Sequence, residues 1–383
     1  MINLLTLIGA RPQIIKAAAL SREVTQHFDG RVAETILHTG QHYDDNMSGH
    51  FFSELNIPRP HINLGVGSAS HGVQTARIIE GVERELMTGR YDGLVLFGDT
   101  NSTLAGAVAA TKLHVPVFHI EAGLRSYDMT MPEEANRCVC DQLSTLLFAP
   151  TQTAVDNLRR EGFDDIPMRM DGGKPRRVVL SGDVMFDNTR HFAAMAAERS
   201  TVMQRLGLEP GQFVLCTVHR DHNTDHPARL QAIVSAVLHV AHTHRITVVL
   251  PLHPRTRKLL PQQLSAELLQ RFTQSPYIKM VPPASFFDII ELERHARIVI
   301  TDSGGVQKEA FFLETPCVIM LHETPWVEIV EHGAGICTDA DYDRICQAYE
   351  QLAGKPVQFP PLFGDGHAAR HILSEIESYF HDR

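Results

Sequence analysis

Short apolar runs alternate with longer amphipathic stretches along most of the chain. The runs Ile2–Ile8, Gly93–Phe97 and 115–120 have the length and continuity of buried strands, and helical patterns follow them. We predict six strands in the first half, with 34–38 and a short strand near Phe148 among them. Strands that alternate with helices form a doubly wound parallel sheet, whose ligand site lies at the carboxyl ends of the strands.

The second half repeats this alternation. Its candidate strands are 177–180, 213–218, 247–250, 278–281, 297–301 and 317–320. The segment 164–177 is rich in proline, glycine and charge, so we place the interdomain passage there and expect domains 1–175 and 176–383. The pattern over 367–379 predicts a terminal amphipathic helix, which could dock back on the first domain. The predicted fold class is α/β.

Composition excludes several classes of protein. The net charge of −10 argues against a non-specific binder of nucleic acid or of membrane surfaces. No basic region precedes the first apolar run, and no run approaches the roughly 20 residues of a membrane span, so we expect a cytoplasmic protein. The six cysteines lack C-x-x-C spacing and the 22 histidines include no H-E-x-x-H, so we expect reduced thiols and no metal.

The segment 119–137 concentrates charged side chains next to an apolar strand. Glu121 directly follows that strand, where a carboxylate is costly to bury unless a partner or a substrate uses it. Pro132 begins a helix on which Glu133, Asn136 and Arg137 share one face and can address one ligand. For one of Glu133 and its acidic neighbour the alternative is structural, because Thr130 and Glu133 have the spacing of a capping box.

Other strand ends carry further candidates. Asp99 follows 93–97 and suits either catalysis or the N-cap of the next helix. Arg11, and with it Lys16, stands at a helix N-terminus that favours phosphate, and a solvated arginine is the alternative. Gln41 and His42 follow the second strand in a polar loop. A plain helix-capping loop would explain the aspartates of this loop but not Gln41 and His42.

The segment 297–309 predicts a diphosphate site. A buried strand leads into Ser303, Gly304 and Gly305 at a helix start, where backbone N–H groups and the helix dipole favour a diphosphate. Glu309, on the first turns of that helix, could accept hydrogen bonds from ribose hydroxyls. An ordinary tight turn is the alternative. Neither a Walker loop nor Gly-x-Gly-x-x-Gly is present in the segment, which disfavours triphosphate hydrolysis and nicotinamide chemistry.

Eight segments resemble the UDP-N-acetylglucosamine 2-epimerase family, in register over nearly the whole chain. They are Gly9-Ala-Arg-Pro-Gln, Thr39-Gly-Gln-His-Tyr-Asp-Asp-Asn, Gly98-Asp-Thr, His119-Ile-Glu-Ala-Gly-Leu-Arg, Pro132-Glu-Glu-Ala-Asn-Arg, Gly182-Asp-Val-Met, Thr217-Val-His-Arg and Thr301-Asp-Ser-Gly-Gly-Val-Gln. The forms Gly40-Gln-His-Tyr-Asp-Asp-Asn-Met, Pro251-Leu-His-Pro-Arg-Thr and Glu323-Thr-Pro-Trp-Val-Glu are similar to the branch that acts on UDP-2,3-diacetamido-2,3-dideoxy-glucuronate.

The resemblance implies two Rossmann-like, doubly wound parallel-sheet domains in the GT-B arrangement with the active site in the cleft between them. It also implies a UDP-sugar substrate, no cofactor and a homodimer. It makes Asp99, Glu121 and Glu133 the acid/base carboxylates and His219 the histidine on the phosphate side. It assigns UDP binding to Arg11, Ser303, Gly304, Gly305 and Glu309, and we add Lys16, Gln41, His42, Arg137 and His253 as expected substrate contacts.

Two segments of the chain depart from the pattern of this branch, and both bear on which sugar the protein binds. Where that branch shows His-Arg-Ala-Glu-Asn-Thr this chain has His222 in place of the glutamate, and Leu321-His322 stand where an arginine precedes the Glu-Thr-x-Trp segment. Both segments should border the cleft, so the substituents at C3, C4 and C6 of the sugar stay open. An insertion near Gly172 also departs from the family.

The expected reaction inverts C2 of a UDP-N-acetylated sugar by expelling UDP and adding it back to a glycal. Separate carboxylates suit the removal of a proton from one face and its return to the other. The alternatives are a hydrolysing epimerase that releases UDP and free sugar, a GT-B glycosyltransferase, and a sugar-nucleotide sensor without catalysis. The paired carboxylates of the first domain count against the glycosyltransferase. The intact set Asp99, Glu121, Glu133 and His219 counts against the sensor.

Overall fold

The computed structural model describes residues 1–41, 57–163 and 175–381. His42 and most of the segment 164–177 lie outside these ranges. The first half contains β1 (Ile2–Ile8), α1 (Arg11–His27), β2 (Val32–His38), β3 (Ile62–Asn63), α2 (His71–Thr88), β4 (Gly93–Phe97), α3 (Asn101–Lys112), β5 (Val117–Ile120), α4 (Pro132–Leu143), β6 (Leu146–Ala149), α5 (Gln152–Arg160), β7 (Arg177–Leu180) and α6 (Val184–Arg199).

The first sheet is parallel throughout its described strands, in the order β3-β2-β1-β4-β5-β6-β7. The residues Leu94–Phe97 of β4 are fully buried, as expected of a strand covered by helices on both faces. The strand order reverses direction between β1 and β4. In a doubly wound sheet this switch point opens a crevice at the carboxyl ends of the strands. Arg11 follows β1 and Asp99 follows β4, so both lie at the switch point.

The second half contains α7 (Val202–Leu206), β8 (Phe213–Thr217), α8 (Asp221–Thr224), α9 (Pro227–His244), β9 (Thr247–Pro251), α10 (Pro254–Gln263), α11 (Ala266–Thr273), β10 (Ile278–Val281), α12 (Phe286–His295), β11 (Ile298–Thr301), α13 (Gly304–Phe312), β12 (Cys317–Ile319), α14 (Val327–Glu331), β13 (Gly335–Cys337), α15 (Tyr342–Ala353) and α16 (Ala368–His381). Its parallel sheet has the order β10-β9-β8-β11-β12-β13. The switch point here lies between β8 and β11, which precede His219 and Ser303. The two parallel sheets confirm the predicted fold class.

The described chain divides into two compact units, 1–188 with 361–383, and 189–360. We expected the strand 177–180 to open the second series, and this was wrong. It is β7, and it pairs with β6 in the first sheet from Leu146↔Arg177 to Ala149↔Leu180. The last helix, α16, also belongs to the first unit, where Tyr379 and Phe380 pack edge-on against Phe118. Within the described residues, no helix has the length and apolar character needed to cross a membrane.

Candidate active site

The turn after β1 is fixed against the turn after β4. A Cβ atom at Gly9 would lie 2.0 Å from Ser102 Oγ, so only glycine allows the two turns to approach this closely. Gln13 joins the two turns, since its Oε1 accepts from Gly9 N at 2.8 Å while its Nε2 donates to Phe97 O at 2.7 Å. Arg11, the exposed first residue of α1, stands beside this junction.

Asp99 is held by helix α4. Its carboxylate forms an ion pair with Arg137, and its backbone carbonyl accepts from Asn136 Nδ2 at 2.9 Å. The Asp99 side chain remains 28% exposed, so a ligand can reach it. The N-cap of α3 is Thr100, whose Oγ1 accepts from Thr103 N. The helix-cap alternative for Asp99 was therefore wrong.

The adjacent carboxylates of α4 have different surroundings. Glu134 is buried, and it accepts from the backbone of Ser126 and of Tyr127 at 2.9 Å each, which fixes the loop before the helix. Glu133 is exposed and, among the described residues, its side chain makes no hydrogen bond or ion pair. The capping-box alternative was wrong, because Met131 is the N-cap and Thr130 instead bonds to an aspartate two residues earlier. Glu134 carries the structural role, which leaves Glu133 available to a ligand.

Glu121 and Lys16 form a second ion pair, with side chains 9% and 13% exposed. Burial opposes the charge on Lys16, but Glu121 and Asp99 outweigh it and raise the pKa of the ammonium group. Glu121 has φ 73°, a left-handed conformation that costs a residue with a Cβ about 1 kcal/mol or more. Gly98 makes room for the pair, because a Cβ there would lie 3.0 Å from Glu121 Oε2.

A buried charge network lies behind these groups, and no motif in the sequence indicated it. Nδ1 of His119 lies 2.7 Å from Asp141 Oδ1, and Nε2 lies 2.8 Å from the carbonyl of Gly98. Both partners can only accept, so the ring is a doubly protonated imidazolium. Burial alone would lower the pKa of His119, but Cys140 and Asp141 raise it to about 10. A histidine in a buried strand signals that such acceptors must exist, but the sequence does not show which residues supply them.

Gln41 is used within the fold. Its Oε1 accepts from Ser102 Oγ at 2.7 Å, and the side chain is buried at the end of β2. Gly40, just before it, has φ 84°, and a Cβ there would lie 2.7 Å from Val66 N. The structure therefore gives Gln41 a packing role beside the switch point.

In the second unit, His219 is oriented by a buried carboxylate. Its Nδ1 lies 3.0 Å from Oδ1 of Asp302, which is fully buried and also accepts from Arg220 N at 3.0 Å. The hydrogen bond to Asp302 raises the pKa of His219, against the opposing effect of partial burial. Half of the His219 side chain is exposed, so Nε2 can donate to an anion at the end of β8.

The start of α13 lies beside His219. Ser303 is the N-cap, and its Oγ accepts from Val306 N, so its hydroxyl already has a structural role. Trp326 Nε1 donates to the carbonyl of Gly304 at 3.1 Å, and Gly305 is exposed. Glu309, further along the helix, is partly exposed, yet burial raises the pKa of its carboxyl group.

His253, at the end of β9, also has a structural role. It is the N-cap of α10, and its Nδ1 accepts from Arg255 N at 3.3 Å. The ring itself is exposed, which leaves its other nitrogen accessible to solvent.

We expect Asp302→Asn to lower the pKa of His219 by about one unit or more, because a neighbouring carboxylate favours the imidazolium. Because folding raises the pKa of His219, the His219–Asp302 pair contributes its full stabilisation of the fold below pH 6.5, the ordinary pKa of histidine. This stabilisation is lost as pH rises through the pKa of folded His219. NMR titration of the histidine ring protons in wild type and in Asp302→Asn measures the shift. An unchanged His219 midpoint would contradict the role of Asp302.

Comparison with known proteins identifies the family. The family model for UDP-N-acetylglucosamine 2-epimerase matches residues 25–377. A UDP-2,3-diacetamido-2,3-dideoxy-D-glucuronate 2-epimerase of Pseudomonas aeruginosa is 43% identical, over 98% of this chain and 99% of the relative. The solved structure of Methanocaldococcus jannaschii UDP-GlcNAc 2-epimerase in complex with UDP-GlcNAc and UDP is 34% identical, with TM-score 0.79 over 99% of this chain and 100% of that one. The chain therefore belongs to the UDP-N-acetylglucosamine 2-epimerase family of isomerases.

Proposed function

We propose that this isomerase inverts C2 of a UDP-N-acetylated sugar by eliminating UDP and adding it back, in the synthesis of cell-surface polysaccharide precursors. The observation that carries the proposal is the arrangement at the end of the first sheet. Asp99 is paired with Arg137 and Glu121 with Lys16, while Glu133 stays exposed and none of the three caps a helix. We therefore infer that these three carboxylates serve proton transfer rather than the stability of the fold.

The chemistry balances without a redox cofactor. A carboxylate takes the C2 proton, the C–H electron pair becomes the C1=C2 double bond of a glycal, and the C1–O bond breaks with its electrons on the diphosphate oxygen. In the return step a carboxylic acid delivers a proton to the opposite face of C2, and the diphosphate oxygen attacks C1. Two distinct groups must serve the two faces, which is why we assign Asp99, Glu121 and Glu133 to the acid/base steps.

The leaving diphosphate needs positive charge and N–H donors. We assign this role to His219, to the backbone of Gly304 and Gly305 at the start of α13, and to Arg11. Nε2 of His219 would donate while Asp302 keeps the ring protonated. Glu309 would accept from the ribose hydroxyls. Burial raises the pKa of its carboxyl group, so hydrogen-bond donors from a ribose would favour its charged form.

The sugar is the open part of the proposal. The Pseudomonas relative is named for UDP-2,3-diacetamido-2,3-dideoxy-D-glucuronate, and a 35% identical relative from Methanocaldococcus jannaschii is named for UDP-N-acetylglucosamine. We infer that one of these two classes is the substrate. His222 is exposed and Leu321 is partly buried, and both depart from the sequence pattern of the branch that acts on the first of these substrates, so the turnover experiment decides between the two classes.

The test is to incubate the protein with each UDP-sugar and to separate the products by anion-exchange chromatography and NMR. We expect the 2-epimer to remain linked to UDP and to reach equilibrium with the substrate. Stoichiometric release of UDP and free sugar would instead assign the hydrolysing alternative. No turnover of either compound would contradict the proposal.

We also infer that the protein is a homodimer. The family resemblance supports this, as do exposed apolar side chains on α4 and in the loop before it, namely Tyr127, Met129, Met131 and Val139. Sedimentation equilibrium should give twice the chain mass at micromolar concentration, and Met129→Glu should weaken the association. A monomer over that whole concentration range would contradict the inference.

A further inference from the structure

One buried imidazole links segments that carry candidate catalytic groups. His119 belongs to β5 and precedes Glu121 by two residues. Its Nε2–H donates at 2.8 Å to the carbonyl of Gly98, the residue before Asp99. Its Nδ1–H donates at 2.7 Å to Asp141 on α4, the helix that also carries Glu133. The ends of β4 and β5 and the helix α4 are therefore joined through one ring.

The second carboxylate oxygen of Asp141 extends the network. It accepts from Gly123 N at 3.2 Å and lies 2.7 Å from Arg125 Nη1, so it fixes the loop that follows β5. Arg125 in turn forms a two-point contact with Glu161, both distances being 2.7 Å. The side chains of His119 and Asp141 are 0% exposed and that of Arg125 is 1% exposed. Buried charges tolerate little displacement, because each lost contact leaves a charge without compensation.

We propose that His119 and Asp141 are positioning residues that hold Asp99, Glu121 and Glu133 at the mutual distances that the two proton transfers need. The inference rests on the proposed function. Neither residue touches the substrate, and both act through the backbone they hold. A displacement of about 1 Å at a reacting group costs about 10²-fold in rate, so a rigid link between three segments matters more for turnover than for binding.

Two variants of His119 cut one link each. Asn at this position places its amide nitrogen where Nδ1 lies, so His119→Asn keeps the contact with Asp141 and loses the one with Gly98. Gln reaches as far as Nε2, so His119→Gln keeps Gly98 and loses Asp141. Neither variant leaves a buried charge unpaired, because Asp141 retains Arg125. We expect each to lower kcat about 10- to 100-fold while KM changes less than twofold.

Glu161→Gln is the matched control. It removes a carboxylate from the outer end of the same network, where the side chain is 32% exposed and contacts Arg125. It leaves the links of His119 and Asp141 intact. We expect it to lower the melting temperature less than the His119 variants do, because its contact is partly exposed, and to keep kcat within twofold of wild type. If the network served only the stability of the fold, kcat would stay close to the wild-type value in all three folded variants.

Wild type is measured first, by C2 deuterium exchange in D2O and by epimerisation. An inactive wild type would contradict the proposed function rather than the positioning role. With an active wild type, a folded His119→Asn or His119→Gln whose kcat stays within threefold overturns the positioning role. If neither variant folds, the pair serves the fold as a whole, and the specific role at the site is also overturned.

Discussion

Glu133→Gln is expected to lower the rate of C2 epimerisation by about 10² to 10⁴ while the protein melts close to wild type. The glutamine keeps the size of the side chain and removes only its ability to transfer a proton. Glu133 is exposed in the first turn of α4, and Met131 is the N-cap there, so the lost charge costs the fold only its interaction with the helix dipole, about 0.3–1 kcal/mol. Epimerisation followed by NMR and thermal unfolding followed by circular dichroism give the two measurements.

The next residue supplies the control. Glu134→Gln is the same substitution at a buried position, where the carboxylate accepts backbone hydrogen bonds from Ser126 and Tyr127. We expect it to cost about 1–3 kcal/mol of the free energy of unfolding, and to affect the rate less than Glu133→Gln does. If Glu133→Gln turned over at nearly the wild-type rate, Asp99 and Glu121 would have to carry both proton transfers.

Asp99→Asn is expected to have an effect of the same size, again a loss of about 10² to 10⁴ in rate. Its amide can still accept from Arg137, so the local geometry should persist while the ionisable group is lost. UDP binding, measured by calorimetry, should change little, because we assign that binding to other residues. C2 deuterium exchange and epimerisation should be lost together.

Thr100→Ala separates this effect from helix capping. Thr100 caps α3 through its Oγ1, so its loss should cost about 1 kcal/mol of stability and leave the rate within a few-fold of wild type. Asp99→Asn should therefore lose rate with little loss of stability, whereas Thr100→Ala should lose stability with little loss of rate. A stable Asp99→Asn protein with near wild-type exchange would return Asp99 to a structural role.

The alternation of apolar runs and helical patterns was enough to predict both parallel sheets, because buried parallel strands are short, continuous and apolar. It could not assign β7 to a sheet. Its residues are partly buried or exposed rather than fully buried, and sequence order alone does not say which neighbour a strand at the edge of a sheet will pair with. The glycines and prolines just before β7 predicted an interdomain passage there. The boundary between the two compact units falls later in the sequence, within α6.

Within the candidate site, the positions of the carboxylates followed from strand ends and helix spacing, but their partners did not. Asp99 and Glu133 each had a capping alternative, because a cap can shift by one residue without leaving a signal in the sequence. Thr100 caps α3 in place of Asp99, and the N-cap of α4 is Met131 rather than Thr130, the expected capping-box partner of Glu133. The pairing of His119 with Asp141 joins residues 22 apart, a distance over which no local pattern applies.

In the proposed reaction the protein removes and replaces the C2 proton of a UDP-sugar. Incubation in D2O with each candidate UDP-sugar, followed by NMR, tests it directly. We expect deuterium to enter C2 of both epimers while the sugar remains linked to UDP, and we expect Asp99→Asn to slow the exchange by about 10² to 10⁴. Interconversion of the epimers without deuterium at C2, or no exchange in the wild-type protein, would contradict it.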